Sequence, residues 1–249
     1  MNILFKIRTL FYYILIKAYK KIILTENITP YKIKVIVTNN FEYQSRFKLA
    51  YTAEPMLNEW ANQIIGCNDI VYDVGANVGN YSILFAKKIQ HYDGSGHIYS
   101  FEPNYLNYKK LRENVSINIV ESFITSLQIG LSNSDTLLNY VEERPNTVGA
   151  SGKITDKKSN NSVLALKIDT IINLKNIQQP NHIKIDIDFF TSKLFENTDW
   201  LNLKSLKSVY IEMKPSEEKY IFDKFYQNNF KLYKKHKESL DDTNYLFTK

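Results

Sequence analysis

The chain is poor in the residues from which extracellular scaffolds and metal centres are built. Cys67 is the only cysteine among 249 residues, which excludes an intrachain disulfide and any cysteine-rich metal site. A reducing compartment, hence a cytoplasmic setting, is the expectation. The four histidines (His91, His97, His182 and His236) include no pair at ligand spacing, so no metal is expected. Long hydrophobic runs are missing too. Within residues 3–24 the longest uncharged stretch is Thr9 to Ile16, far short of the roughly 20 residues that span a bilayer. No small-residue cleavage site follows it, so a secretory signal is not expected. Acids are absent from the first 21 residues, where Lys6, Arg8, Lys17, Lys20 and Lys21 lie. The other basic residues nearly balance the 26 acidic ones, so the body of the chain is almost neutral. A nucleic-acid reader would carry its basic face on the domain itself, and no nucleic-acid partner is expected.

What is present is enough apolar side chain for a packed core, 44% hydrophobic against 23% charged. That length suits one sizeable α/β domain. Residues 1–50 read as a basic amphipathic segment and extension, and residues 51–249 as the main domain. The mixed apolar and basic stretch 3–24 fits a helix lying on an anionic membrane surface, and equally a helix packed on the domain with its lysines in water. Peripheral contact with the inner membrane face through residues 1–24 is therefore one expectation. The lysine clusters at 153–158 and 231–237 read as solvated loops and edges. Oligomeric state is not legible.

From Ile70 onward strands and helices alternate. Ile70–Val74 is a buried strand and Val78–Ile89 a helix with Tyr81, Leu84, Phe85 and Ile89 on one face. His97–Phe101, Ser126–Leu131, Ile183–Ile187 and Ser208–Met213 are further strands, with helices at Tyr105–Ile117, Thr191–Leu203 and Glu217–Asn228. Upstream, Tyr31–Thr38 has strand character and Glu54–Ile65 is helical. Residues 132–181 break the rhythm and read as an insertion of short strands and loops above the sheet. Phe230–Lys234 and Tyr245–Thr248 form a closing antiparallel pair. The pattern predicts an α/β fold with a doubly wound, mostly parallel sheet.

The chemistry concentrates in Asp-Ile-Val-Tyr-Asp-Val-Gly-Ala-Asn-Val-Gly-Asn, residues 69–80. An apolar strand runs into Asp73 and then into a turn made by Gly75, Ala76, Asn77, Gly79 and Asn80, which opens a helix. Such a turn lets backbone approach a ligand at the carboxyl end of a strand. Glu102 follows at the tip of the next strand, placed to accept both hydroxyls of a ribose. Dinucleotide sites carry Gly-x-Gly-x-x-Gly because a pyrophosphate must reach the helix N-terminus. Here the middle glycine is missing, which suits a nucleoside joined to an amino acid without phosphate. S-adenosylmethionine has that shape.

The order Asp73-Val-Gly-Ala-Asn-Val-Gly-Asn-Tyr81, Phe101-Glu-Pro103, Leu166-Lys-Ile-Asp-Thr170, Lys184-Ile-Asp186 and Ile211-Glu212 resembles the successive motifs of the FkbM methyltransferases, across roughly residues 50–215. The resemblance implies a class I methyltransferase (Rossmann-like) fold, S-adenosylmethionine as cofactor, and O-methylation of a hydroxyl on a sugar, a glycan or a glycan-like small molecule. It implies that Asp73, Gly75, Ala76, Asn77, Gly79 and Asn80 line the methionine and ribose part of the pocket. Glu102 then takes the ribose hydroxyls and Asn104 flanks the adenosine. Asp186, Asp188 and Glu212, at the carboxyl ends of adjacent strands, are the catalytic candidates, because the acceptor must be aligned and lose its proton. Lys184 reads as an ion-paired structural lysine. Glu142, Glu143, Arg144 and Ser151 of the insertion are candidates for acceptor contacts.

One segment departs from the family pattern. A continuation resembling Val-Glu-Gly-Ala-Glu is replaced by Ile187-Asp188-Phe189-Phe190-Thr191. Two rings at that place imply either a different acceptor or a catalytically silent methyltransferase-like module that binds at a membrane surface. The intact cofactor turn favours the first.

Overall fold

A computed structural model describes residues 3–28, 30–52, 54–155, 158–187, 191–237 and 243–249, with side chains from Arg8 onward. Asp188, Phe189 and Phe190, singled out above, lie outside the described residues, as does Lys157. The amino-terminal helix α1 (Ile3–Tyr19) leads into a hairpin of β1 (Ile22–Ile28) and β2 (Tyr31–Val37). The stretch read as one segment to residue 24 is thus a helix and then a strand, because Ile22, Leu24 and Glu26 pair with β2. Short helices α2 (Asn40–Glu42) and α3 (Pro55–Glu59) follow, each running into a wider π-helical segment, Tyr43–Lys48 and Trp60–Ile64.

The alternating part then begins: β3 (Ile70–Val74), α4 (Asn80–His91), β4 (His97–Phe101), α5 (Tyr105–Asn118) and β5 (Ile124–Leu127). The strand expected over 126–131 is divided, since the chain leaves the sheet after Leu127. Its second half, β6 (Gly130–Leu131), pairs instead with β9 (Asn161–Leu166). Together with β7 (Thr136–Glu142) and β8 (Gly152–Thr155) these make a second sheet, ordered β6-β9-β7-β8. That sheet is the expected insertion. After α6 (Ile168–Ile172) the main sheet resumes with β10 (His182–Ile185) and β11 (Ser208–Met213), then α7 (Glu218–Gln227), β12 (Lys231–Lys237) and β13 (Thr243–Thr248). The helix expected over 191–203 is two 3-10 turns, Thr191–Phe195 and Trp200–Asn202. Asn197 takes the left-handed conformation between them (φ 50°), and Asp169 hydrogen-bonds Thr198 and the Asp199 amide there, so the helix cannot continue.

The main sheet is ordered β12-β13-β11-β10-β3-β4-β5, with β13 antiparallel to both its neighbours and β3, β4, β5, β10 and β11 parallel. Every residue of β3 and β10 is buried, as expected for central parallel strands covered on both faces. Each fully buried Ile or Val, such as Ile183 and Val71, stabilises the fold by about 1.5–3 kcal/mol. The chain moves outward through β4 and β5, then returns to the other side of β3 with β10. The crevice at this switch point, above the carboxyl ends of β3 and β10, is where such sheets bind ligands.

The extension is built into the same body. Ile33, Val35, Tyr43 and Phe47 share one hydrophobic cluster with Leu84, Phe85 and Leu111 of α4 and α5. On α5, Asn118 exchanges hydrogen bonds with the Lys34 backbone (2.8 and 2.7 Å), and Asn114 accepts from the Ile36 amide (2.9 Å). These side chains satisfy ladder groups on the outer edge of β2, which would otherwise invite another strand.

Candidate active site

The cofactor turn hangs from one carbonyl. The Gly75 and Ala76 amides both donate to Phe101 O (3.0 Å each), so the end of β4 fixes the turn after β3. Glu102 completes the link. One of its oxygens accepts from the Asn77 amide and the other from the Asn104 amide, each at 2.8 Å. A carboxylate oxygen has two lone-pair sites, so each retains one for a ligand hydroxyl. Glu102 is buried, and desolvation pushes its pKa up to about 7 despite the two amides. Gly75 has φ 78°, and a Cβ there would stand 1.9 Å from the Asp186 carbonyl oxygen. Only glycine fits between the two strand ends. Ala76, Gly79 and Asn80 continue the turn, Gly79 being the residue that opens α4.

Registry places the charged groups. Asp73 lies opposite Lys184 on β10 and Ser100 on β4. Its Oδ2 accepts from Ser82 Oγ (2.5 Å), whereas Oδ1 is buried with no hydrogen-bond partner, 3.7 Å from Lys184 Nζ. Asn80 Oδ1 is likewise buried and without a partner, while its Nδ2 donates to Arg46 O. Two orphaned acceptors in one place call for a donor. Lys184 donates to Asp186 (2.9 Å); burial would lower its pKa, but Asp186, Asp73 and Glu54 outweigh burial and hold it above the usual value. It is an ion-paired lysine.

Two cavities meet above this turn. One, of about 240 Å³, is bounded by Asp73, Ala76, Asn80, Tyr81, Glu54 and Lys184. The other, of about 220 Å³, extends from Glu102 and Pro103 under the second sheet, past Ser132, Ser134 and Ser151. Arg46, Gly75, Asn77 and Asp186 border both. Asp186 is thus at the junction, with about a third of its side chain exposed. Glu212 borders neither cavity. It sits near the end of β11, and its backbone carbonyl accepts from Thr191 Oγ1. Asn104 caps α5 through the Asn107 amide and donates to Glu142, so both ends of its side chain are engaged. Of the insertion candidates, Ser151 lines the second cavity, Glu142 braces Asn104, and Arg144 lies over the Phe41 ring. Glu143 pairs through its amide with Ser151 O. Lys153, read from sequence as solvated, lines the second cavity because β8 folds over the crevice.

Arg46 and Glu54 escaped the sequence reading. They precede every motif, and nothing local marks them. The signal that could have found Arg46 is weak: a basic residue between Tyr43 and Phe47, both of which point into the core.

A family model described as the methyltransferase FkbM domain matches residues 73–233, from the aspartate of the turn to β12. The chain belongs to the FkbM methyltransferase family. Among curated proteins it is similar to the hexuronic acid methyltransferase AglP of Haloferax volcanii, 25% identical over 124 residues. The match covers 49% of this chain and 46% of AglP, so the chain spans about half the length of that relative. Among solved structures it is similar to a Pyrococcus horikoshii protein described as a transferase, PH0793. That likeness has a TM-score of 0.52 at 11% identity and covers 92% of this chain and 70% of the other. It is also similar to the M. jannaschii tRNA m1G37 methyltransferase, with TM-score 0.51, 12% identity, and coverage of 92% and 56%. At such identities the structures speak to the fold alone, which is the Rossmann-like fold of class I methyltransferases.

S-adenosylmethionine is the cofactor of this FkbM domain, and the residues fit it. Gly75 lets the turn pack against the Asp186 carbonyl at the rim of both cavities, Glu102 has lone pairs for a ribose, and the buried acceptors Asp73 Oδ1 and Asn80 Oδ1 suit an ammonium. Among the described residues no group of three or more His, Cys, Asp or Glu side chains could hold a metal ion.

Proposed function

We propose that this protein is an O-methyltransferase acting on a hydroxyl of a sugar or glycan, with an acidic sugar as the preferred class. The observation that carries the reading is the position of Asp186, among the described residues the one carboxylate that borders both cavities. When bound, S-adenosylmethionine supplies a methyl group on a cationic sulfur that leaves with the bonding electron pair. The protein must then align an oxygen and receive its proton. Lys184 holds one oxygen of Asp186, leaving the other to accept a hydrogen bond from the acceptor hydroxyl and then its proton. Asp188 remains a candidate for holding the acceptor, and Glu212, outside the two cavities, a candidate only for steadying the strand ends from behind.

The lining of the second cavity supports a sugar. Ser132, Asn133, Ser134, Ser151 and Thr155 offer short donors and acceptors suited to a polyhydroxylated ring. Lys153 and Lys193 border it as well, which suits a negative charge on that ring, and the relative AglP is a hexuronic acid methyltransferase. Mass spectrometry of hexuronic and neutral sugars incubated with the protein and S-adenosylmethionine tests this. A methyl ether on the uronic sugar is expected, reduced on the order of 10²–10⁴-fold in Asp186→Asn. Cofactor binding with no methylation of any sugar would leave a silent binding module instead.

The same proposal sets the protein against an anionic membrane through residues 1–24. One face of α1 is packed, with Ile16 buried and the Tyr12 ring 5.2 Å from that of Tyr43. The opposite face exposes Leu10 (60%), Phe11 (55%) and Ile14 (56%) with Lys17 beside them, Arg8 lies over the Tyr12 ring, Lys20 follows the helix, and no acid is present. No described helix is long and apolar enough to cross a membrane, so the helix would lie in the interface. Sedimentation with vesicles containing anionic phospholipid should carry the protein down, and vesicles of neutral lipid should not. Equal recovery from both would remove this part of the proposal.

A further inference from the structure

We propose that Arg46, contributed by the extension ahead of the family domain, is a carboxylate clamp at the junction of the two cavities. The proposal rests on the methyltransferase reading of the site. Arg46 belongs to the π-helical segment Tyr43–Lys48, which is locked in place on both sides. Tyr43 and Phe47 are buried, and the Arg46 carbonyl accepts from Asn80 Nδ2 at 2.7 Å, tying the segment to the first residue of α4. The guanidinium is steered from the other direction by the insertion, since Nε donates to the Gly149 carbonyl at 2.7 Å. Gly149 permits that approach. Its φ is 83°, and a Cβ there would come within 3.1 Å of both Arg46 Cγ and Glu42 Cγ.

One edge of the guanidinium is thus used for positioning, and among the described residues its two terminal nitrogens make no hydrogen bond or ion pair, although its charge acts on Glu102. A half-buried guanidinium with a free fork is the protein's natural receptor for a planar carboxylate. The charge pattern around it points the same way. Arg46 and Lys184 are the cations bordering the cavity at Asp73, and Lys184 already lies between Asp186 and Asp73. The acids and orphaned oxygens there suit an ammonium, so the carboxylate of the same amino acid falls to Arg46. In the second cavity Arg46 joins Lys153 and Lys193 in the lining, so the carboxylate of a uronic sugar is an equal candidate for its partner. Both ligands present the same group, and among the described residues Arg46 is the cation common to the two cavities.

Calorimetry on the full chain distinguishes the two sources. The probes are S-adenosylhomocysteine, 5′-methylthioadenosine (which lacks the amino-acid end) and a uronic sugar added to the S-adenosylhomocysteine complex. If the cofactor carboxylate is the partner, Arg46→Gln weakens S-adenosylhomocysteine by roughly 10- to 100-fold and leaves methylthioadenosine unchanged. Arg46→Lys then recovers part of the loss. If the acceptor carboxylate is the partner, S-adenosylhomocysteine binding survives and the preference for the uronic over the neutral sugar disappears. Either result supports the clamp, and unchanged methylthioadenosine affinity certifies that the variant is folded. Unchanged binding of S-adenosylhomocysteine and unchanged sugar preference in Arg46→Gln overturn it. Failure of the wild-type protein to bind S-adenosylhomocysteine overturns the functional reading and the clamp together.

Discussion

At the scale of single residues, the cofactor turn is governed by space and by the charge on one acid. Gly75 has no room for a methyl group and sits at positive φ, so Gly75→Ala must displace the Asp186 backbone. We expect it to abolish measurable S-adenosylhomocysteine binding in calorimetry and to destabilise the fold by about 1–3 kcal/mol in urea unfolding. Glu102 makes a titration prediction. Its pKa is pushed up to about 7 because burial disfavours the charged form, whereas ribose hydroxyls are better held by the ionised carboxylate. Cofactor affinity should therefore rise as pH increases through about 7 and level off above it, and the slope should vanish in Glu102→Gln. The ligand-free protein gives the opposite sign. An acid raised from 4.5 to about 7 on folding loses its contribution to stability as pH rises through that window, so Glu102→Gln should gain relative stability at alkaline pH.

At the scale of elements, the lower end of the sheet carries a buried network with the look of a catalytic triad and none of its access. Asp69 Oδ2 accepts from His182 Nε2 (2.9 Å), His182 Nδ1 pairs with Ser208 Oγ (2.6 Å), and Trp60 Nε1 donates to the same hydroxyl (2.8 Å). Ser208 and His182 are both completely buried, so the serine meets no substrate and the network joins β3, β10, β11 and the Trp60 segment. Burial would raise the Asp69 pKa, but hydrogen bonds from His182, Lys207 and the Gly66 amide hold it well below the usual value. Burial holds His182 below 6.5 despite Asp69. A depressed acid loses its stabilisation as pH falls. A histidine kept neutral does the same below its unfolded pKa, because the unfolded chain binds the proton first. Both act in one direction. Thermal unfolding should show stability declining from about pH 6.5 downward as His182 resists protonation, and Asp69→Asn should cost roughly 1–3 kcal/mol at neutral pH while removing the further decline that Asp69 adds below about pH 4. A variant as stable as the parent would show that the network contributes nothing net.

At the scale of the whole molecule, the family domain depends on the chain ahead of it. The cluster that unites Ile33, Val35, Tyr43 and Phe47 with α4 and α5 means that removing residues 1–68 uncovers core. A chain beginning at Asp69 should aggregate or fail to unfold cooperatively in circular dichroism, although it retains every motif. Removing residues 1–21 alone should leave a folded protein that still binds S-adenosylhomocysteine but no longer sediments with anionic vesicles. If the shorter chain from Asp69 folds and binds cofactor normally, the extension is an accessory and Arg46 loses its importance.

How much of this was legible in the sequence follows from the range of the interactions. The alternation from Ile70 onward, the mostly parallel sheet, the closing antiparallel pair and S-adenosylmethionine as cofactor were readable, because each rests on periodicity or on residues close together in the chain. The Asp73–Asn80 turn and Glu102 are such cases, their link spanning only 25 positions. The helix expected over 191–203 failed because Asp169, far back in the sequence, captures the backbone at Asp199. Tertiary structure alone set Asp186 at the junction of two cavities, left Glu212 outside them, and folded Lys153 over the crevice. It also brought Arg46 to Gly149, 103 residues away, with no motif to announce either. Chemistry carried by neighbouring residues is written in their order. Chemistry made by chain segments meeting across a core is decided by packing, where the same lysine or arginine can face solvent or a ligand.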